Sequence, residues 1–407
     1  MEQIFDFVAD KTFDGRPDVT IVMPCLNEVD SLPHCMGNAL DALSRLRTEL
    51  GLSGEVVIAD NGSTDGSQAL AMELGARVVP IAARGYGAAL IGGCTAAYGR
   101  YVLMGDCDGS YNFTEGLAMI AKLEEGYDVC MGNRFKGGIE PGAMPWKNRH
   151  IGNPGLTGVL NLFFRSGIGD AHCGLRAIRK DAFQRLGLTG SGMEFASEMV
   201  IKAALLKLKM TEVPATLSKD LRDRAPHLRP VRDGWRHLRY LFMLSPTWIF
   251  GVPGIAAMAA GAGILATAGA KALGLFGAIP FGESWIVIGA LLIAVGHVVA
   301  LMSIASHLYG VRSGYRLPKP WLSGARGIVS LEGCVIGGLA LMAASVVAMT
   351  AVAASWGAGS FAALPSILPV AVAGVTGTLG LQTIFAGFLF AVIGGNEADF
   401  FRHDHGR

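Results

Sequence analysis

After Tyr240 this chain almost stops carrying charge. Between Leu241 and Val311 the acidic and basic residues are Lys271 and Glu283; between Gly327 and Asn396 there is Glu332 alone. Four apolar stretches, at about 246–268, 285–309, 333–355 and 367–393, each reach the roughly 20 residues a helix needs to cross a bilayer. Soluble core helices are shorter and carry a polar stripe. Gly and Ala dominate these stretches, which permits close helix packing. The chain after about residue 245 is therefore expected to hold a transmembrane helical domain. The whole-chain composition agrees: of 407 residues, 51% are hydrophobic and 16% charged. The mean hydropathy of +0.42 is too high for an ordinary soluble protein.

Nearly all charges lie before residue 240, a length that suits one α/β domain. The expected organisation is a catalytic domain over 1–228, a basic amphipathic juxtamembrane segment over 229–244, a four-helix membrane domain over 245–395 and a tail over 396–407. Net charge is +1, so there is no global basic field for nucleic acid. Arg222, Arg224, Arg229, Arg232, Arg236 and Arg239 precede the first span, and Arg312, Arg316, Lys319 and Arg326 follow the second. By the positive-inside rule the catalytic domain, the 311–327 loop and the C-terminus are expected to be cytoplasmic, in a multi-pass protein of the inner or plasma membrane if bacterial. The acidic start MEQIFDFVADKTFDG lacks a basic n-region and an apolar h-region, so no signal peptide is expected. The cysteines show no C-x-x-C spacing, and free thiols in a reducing compartment are expected.

In the first half, β-branched runs alternate with polar turns. Val19–Met23 stops at Pro24 and leads to Asn27-Glu28. Glu55–Ala59 ends at Asp60-Asn61-Gly62. Ala76–Pro80 leads to Arg84-Gly85, and Tyr101–Gly105 ends at Asp106-Cys107-Asp108. Strand, turn and helix in repetition predict a mainly parallel sheet with crossover helices. Ligands bind such sheets at the carboxyl ends of the strands. Asp106 and Asp108 are one residue apart on an extended segment, so their carboxylates share a face. Two hard oxygen ligands suit Mg²⁺ or Mn²⁺ together with substrate phosphates. Standing alone, the same pattern is more often a solvated loop.

The ordered series VMPCLNE (22–28), ADNGSTDGS (59–67), ARGYGAAL (83–90) and GDCDGS (105–110) resembles the family 2 glycosyltransferases. GNRFKGG (132–138), DAHCGLRAI (170–178), GMEFASEM (192–199) and EVP (212–214) are similar to the subgroup that glycosylates polyprenyl phosphates, the dolichol-phosphate mannose and glucose synthases. The resemblance covers about residues 17–240. It implies a GT-A nucleotide-diphosphosugar transferase fold and an inverting hexosyl transfer to a polyprenyl phosphate, undecaprenyl or dolichyl. Cys107 departs from the frequent Ala, and Arg84 from Lys or Asn.

The resemblance also implies roles. Asp106 and Asp108 would hold the metal and the donor diphosphate. Pro24, Asn27, Glu28, Asp60, Arg84 and Asp106 would line the donor site of a UDP- or GDP-hexose, with UDP-glucose favoured. Turn formation is the competing reading for Asp60, and a helix cap is favoured for Asp65. Arg134 would bind phosphate. Arg222, Arg224 and His227 would meet the diphosphate or the lipid phosphate, unless they serve as positive-inside anchors. Arg232, Arg236 and Arg239 fall with Trp235, Leu238 and Leu241 on an expected interfacial helix. Asp170 is assigned to the catalytic or acceptor site without a commitment to proton abstraction. Glu198, or Glu194 a turn earlier, would support Arg134 or a loop. His297 and His307 are expected to bond neighbouring helices, with Glu283 and Glu332 as possible partners. The third and fourth spans suit a homo-oligomer or another partner.

Rival readings stay open. A processive synthase would carry a Q-x-x-R-W element, which is absent from the sequence. Transfer to a lipid hydroxyl, of ceramide or diacylglycerol, would require Asp170 as a base. A non-catalytic nucleotide-sugar-binding scaffold would not need Asp106, Asp108 and Arg134 together.

Overall fold

The computed structural model describes residues 16–222, 230–275, 282–320, 322 and 329–395. Two compact units emerge, Met1–Leu244 and Ser245–Arg407.

The first unit runs β1 (Val19–Cys25), α1 (Leu32–Leu50), β2 (Gly54–Asp60), α2 (Ser67–Glu73), β3 (Arg77–Pro80), α3 (Tyr86–Ala96) and β4 (Tyr101–Met104). It continues with α4 (Gly116–Glu124), β5 (Val129–Asn133), α5 (Arg134–Gly137), α6 (Asn153–Phe164), β6 (Arg176–Arg179), α7 (Lys180–Leu186), α8 (Phe195–Leu205), β7 (Met210–Pro214) and α9 (Pro230–Met243). The strands form one sheet in the order β3-β2-β1-β4-β6-β5-β7. Every pairing is parallel except those of β6, which runs antiparallel to both β4 and β5. This is the GT-A-like mixed sheet expected from the sequence.

The central strands read as unbroken apolar runs because both faces of the sheet are covered by helices. β1 buries Val19, Ile21, Val22 and Met23 completely, and β4 does the same with Val102, Leu103 and Met104. On α1, Leu32, Cys35, Met36, Ala39, Leu43 and Leu46 recur every three or four residues and are all buried, so one helix face meets the sheet. The chain builds outward from β1 through β2 to β3, then crosses back to place β4 on the other side of β1. The carboxyl ends of β1 and β4 therefore flank the switch point, where an α/β sheet opens a crevice.

α9 differs in detail from the expected interfacial helix. Trp235 is exposed, but Leu241 is fully buried. The inward stripe is His237, Leu241 and Leu244, spaced four and three residues apart. Phe242 packs on Phe163 of α6 with ring centroids 5.8 Å apart.

The second unit contains α10 (Val252–Ala272), α11 (Ser284–Arg312), α12 (Leu331–Ala358) and α13 (Leu368–Gly394). These four helices, the first extended by a turn to Thr247, are long and apolar enough to cross a membrane. Glycines set their spacing. A Cβ on Gly261 of α10 would lie 2.4 Å from the Gly289 carbonyl oxygen of α11, and a Cβ on Gly338 of α12 would lie 2.6 Å from that of Gly380 on α13. Backbones approach this closely only where side chains are missing. His297 Nδ1 meets Gln382 Oε1 at 2.8 Å, not an acidic residue. Glu283 instead accepts from the Ser366 hydroxyl and the Ile367 amide. Neither ring nitrogen of His307 has a hydrogen-bond partner among the described residues. Arg312 Nη1 caps the end of α13 through the Val392 and Ile393 carbonyls.

Candidate active site

A cavity of ≈ 770 Å³ opens at the carboxyl edge of β1 and β4. Pro24, Glu28, Arg84, Asp106, Asp108, Arg134 and Arg222, all candidates from the sequence, line it. Asn27, Asp60, Asp170 and Glu198 do not, and Arg224 and His227 lie outside the described residues.

Asp106 and Asp108 follow β4 directly. Burial first, and then the negative charge of Asp108, push the Asp106 carboxyl up to about 6. Tyr86, at the start of α3, hydrogen-bonds to Asp106, and its own hydroxyl is held well above the usual phenol range by burial and by that carboxylate. Asp108 Oδ1 accepts from the Ser110 amide at 3.0 Å and its hydroxyl at 2.5 Å. Its Oδ2 meets Arg222 Nη2 at 2.5 Å. Arg222 also reaches Glu28 Oε1 at 3.4 Å and Asp220 Oδ2 at 3.2 Å. The segment carrying Arg222 is pinned there, because the Leu221 amide donates to the Asp108 carbonyl and the Ser218 amide to that of Ser110.

The carboxylates of Asp106 and Asp108 are hard oxygen donors of the kind a divalent ion takes, with substrate phosphates completing the shell. Among the described residues no cluster of three or more His, Cys, Asp or Glu side chains forms a self-sufficient metal site.

Asp60 turns inward. Its carboxylate accepts from the amides of Gly62 and Ser63 and from Gln68 Nε2 at 2.6 Å, and the residue is 1% exposed. It therefore braces its own Asn-Gly turn, the competing reading, and Asn61 takes the cavity wall. Asn61 Oδ1 accepts from the Gly85 amide at 2.7 Å, which ties the turn after β2 to the loop before α3. Asn27 adopts a left-handed backbone (φ 58) and accepts from the Thr64 amide. Asp65 Oδ1 accepts from the Ser67 amide at 3.0 Å at the start of α2, but the N-cap position itself is taken by Gly66 without a side-chain cap.

The other end of the site is built on β5. Arg134 directly follows it and forks onto Asp170: Nε to Oδ2 at 2.6 Å and Nη2 to Oδ1 at 2.8 Å. The Arg134 amide adds a third bond to Oδ2. Asp170 is 0% exposed, which corrects its placement as a carboxylate facing the reacting centre. It is the inner partner of a buried pair, and the arginine faces the cavity. Glu212 of β7 supports both halves, accepting from Asn133 Nδ2 at 3.0 Å and from the Gly169 amide at 2.7 Å.

Glu198 holds a loop, not Arg134. Its carboxylate accepts from the amides of Thr189 and Gly190 and pairs with Lys202 Nζ at 2.7 Å. That loop presses on α3: the Ala88 amide donates to the Ser191 carbonyl, and a Cβ on Gly87 would sit 2.1 Å from the Gly190 oxygen. Glu194 bonds the Gly192 amide locally.

The sequence gives no role to Tyr86, leaves Arg176 as a bare member of the Asp170-Gly174-Arg176 element and His172 as a packing residue beside Cys173, and does not reveal that His172, Ser197 and His237 form a chain. Arg176 is 1% exposed and donates to the carbonyls of Cys173 and Ala196. All seven cysteines are free and buried, as expected.

A model of "Glycosyl transferase family 2" matches residues 20–187. The low-salt glycan biosynthesis hexosyltransferase Agl6 of Haloferax volcanii is 34% identical over 387 residues, which cover 94% of this chain and 90% of that protein. The chain belongs to glycosyltransferase family 2. This family 2 glycosyltransferase also matches, over residues 304–394, the "Glycosyltransferase family 2 C-terminal transmembrane region". With its four long apolar helices it is an integral membrane protein. A dolichyl-phosphate hexose transferase of Haloferax volcanii is 28% identical over 203 residues, covering 50% of this glycosyltransferase and 82% of the relative. Glucosyl-3-phosphoglycerate synthase from Mycobacterium tuberculosis, solved with Mn²⁺, UDP and glucosyl-3-phosphoglycerate, aligns at a TM-score of 0.41 and 20% identity, over 56% of this chain and 78% of that one.

Proposed function

We propose that this glycosyltransferase moves a hexose from a nucleotide-diphosphate sugar to a polyprenyl phosphate, forming a lipid-phosphate-linked sugar. The observation that carries the acceptor is the state of Asp170. A hydroxyl acceptor needs a general base, whereas a phosphate is already ionised near neutral pH and needs none. The carboxylate once available for that task is spent, both oxygens, on Arg134. The kinship with a dolichyl-phosphate hexose transferase points the same way.

Asp106 and Asp108 would hold Mg²⁺ or Mn²⁺, which when bound supplies positive charge to the departing diphosphate. Glu28, Asn61 and Arg84 line the donor end, with UDP-glucose the favoured donor. Arg134 presents the guanidinium edge not used by Asp170 to the acceptor phosphate. Arg222 releases Asp108 when the donor enters and turns to its diphosphate; Arg224 and His227 are assigned to the diphosphate or the lipid phosphate. Attack by a phosphate oxygen on the anomeric carbon, in line with the leaving diphosphate, inverts the centre. The catalytic unit faces the cytoplasm, where nucleotide-sugars are made.

The test uses membranes containing the full chain, radiolabelled UDP- and GDP-hexoses, undecaprenyl phosphate, and Mg²⁺ or Mn²⁺. The expected product is a metal-dependent labelled lipid, labile to mild acid and lost in Asp108→Ala. Label confined to an acid-stable lipid would instead make the acceptor a hydroxyl.

A further inference from the structure

Three side chains, two of them in the cavity wall, form a hydrogen-bonded chain that the roles above do not use. His172 Nε2 lies 3.1 Å from Ser197 Oγ, and Ser197 Oγ lies 2.8 Å from His237 Nδ1. The two imidazoles meet edge to face, with ring centroids 4.8 Å apart. His172 comes from the loop before β6, Ser197 from α8 and His237 from α9, so three separate elements converge. Both histidines line the cavity that holds Arg134 and Asp106. Ser197 is 0% exposed, and its hydroxyl bonds to both imidazoles.

With Nε2 committed to Ser197, the remaining polar atom of the His172 ring is Nδ1. It is buried and has no hydrogen-bond partner among the described residues. Buried polar atoms without partners are uncommon, and one in a cavity wall calls for a ligand. Burial first, and then the positive neighbours His237, Arg134 and Arg176, hold the imidazole well below its ordinary pKa, so it is neutral at physiological pH. Neutral imidazole has one donor and one acceptor nitrogen. The serine has one proton to give. If it donates to His172 Nε2, His237 Nδ1–H donates to the serine, and His172 Nδ1 carries the other proton. If the chain runs the opposite way, Nδ1 is a bare lone pair. An anion in the cavity selects the first arrangement.

We propose that His172 Nδ1–H donates a hydrogen bond to an oxygen of the acceptor phosphate beside Arg134, in the tautomer that the anion selects and the Ser197–His237 chain completes. This rests on the reading of the acceptor as a phosphate. His172 is thus an acceptor-binding residue, and Ser197 and His237 are positioning residues. A single fixed donor complements the Arg134 fork: the arginine supplies charge, and the neutral imidazole orients the nucleophilic oxygen without adding a proton to it.

The test compares full-length wild type with His172→Ala, His172→Asn and His172→Gln, using farnesyl phosphate as acceptor and measuring KM for each substrate. Asn carries its amide nitrogen where Nδ1 lies; Gln reaches only towards Ser197. A hydrogen bond to a charged group predicts that H172A raises the farnesyl phosphate KM about tenfold or more. The nucleotide-sugar KM stays unchanged, Asn restores most of the loss and Gln does not. Ser197→Ala gives a smaller rise in the same KM. Rescue by Gln and not by Asn, or an equal rise in both KM values with a lowered melting temperature, would make the chain a structural link and overturn the proposal. So would an unchanged farnesyl phosphate KM in folded H172A. If wild type ignores farnesyl phosphate but glycosylates diacylglycerol or ceramide, the acceptor reading falls and takes the proposal with it. If wild type uses farnesyl phosphate and the variants match it, the proposal alone falls.

Discussion

Arg222 Nη2 stands 2.5 Å from Asp108 Oδ2, where a cation serving the donor diphosphate would bind. The guanidinium pairs with Asp108, Glu28 and Asp220, so it would compete with a metal ion for the Asp108 carboxylate. Removing it should expose the acids to the ion. Mn²⁺ titration of the full chain without nucleotide is expected to show binding about tenfold tighter in Arg222→Ala than in wild type, the scale of one charge-assisted partner. Turnover with saturating metal should nevertheless fall, because the donor diphosphate loses its cationic contact. Equal Mn²⁺ affinity in the two proteins would separate Arg222 from the metal site.

The Arg134–Asp170 pair makes a stability prediction. Asp170→Asn leaves a buried guanidinium without its counter-charge. Breaking a buried pair from one side costs about 3–5 kcal/mol. A large drop in the melting temperature of detergent-solubilised protein is expected. The double variant Arg134→Met, Asp170→Leu should recover much of that stability and none of the activity. Were Asp170 instead a general base, Asp170→Asn would keep its melting temperature and lose turnover with a changed pH profile.

Much of this site was legible before any coordinates. β-branched runs ending in polar turns marked β1, β2 and β4, and the ends of those strands met at one cavity because parallel crossovers put them there. The pairing of Arg134 with Asp170 was not legible. They are 36 residues apart, joined only because β6 inserts antiparallel between β4 and β5, and no local pattern announces that reversal. Asp60 shows the opposite failure. Its Asn-Gly turn was plain in the sequence, but whether the carboxylate faced a ligand or its own turn depended on the Gly62 and Ser63 amides. His172 and His237 were invisible as partners, since Ser197 bridges them from a third element. The membrane helices were the most legible part because length and missing charge alone decide them.

Asp106 gives a pH dependence with a definite sign. Its carboxyl is raised to about 6, by burial and by Asp108, from an ordinary value of about 3.9. The folded protein therefore binds that proton more tightly than the unfolded chain does. Between those two values the folded state carries the extra proton, so this group favours folding in acid, and the advantage is lost as pH rises through about 6. Metal binding must displace the same proton. The apparent Mn²⁺ affinity should rise about tenfold per pH unit below 6 and level off above 7. Asp106→Asn should flatten that slope, and an equally steep slope in the variant would place the titrating group elsewhere.

Glu198 lies outside the cavity lining and holds the 189–191 loop that presses on α3. Its carboxylate collects the amides of Thr189 and Gly190 and the Lys202 ammonium in a fully buried position. Burial alone would raise its pKa, but Lys202 and the Gly190 amide outweigh that and hold it below the usual value, so it is ionised in the folded protein. Glu198→Gln keeps the shape, removes the charge and forces an amide NH₂ towards backbone donors. Each buried donor left unmatched costs about 1–3 kcal/mol. Hydrogen–deuterium exchange at Thr189 and Gly190 should accelerate, and the Ala88 amide, bonded to the Ser191 carbonyl, should follow. Because Asn61 ties the loop before α3 to the turn after β2, loosening this loop should raise the nucleotide-sugar KM more than the acceptor KM. Faster exchange at residues 189–190 with Ala88 unmoved would show that the loop and α3 are not coupled.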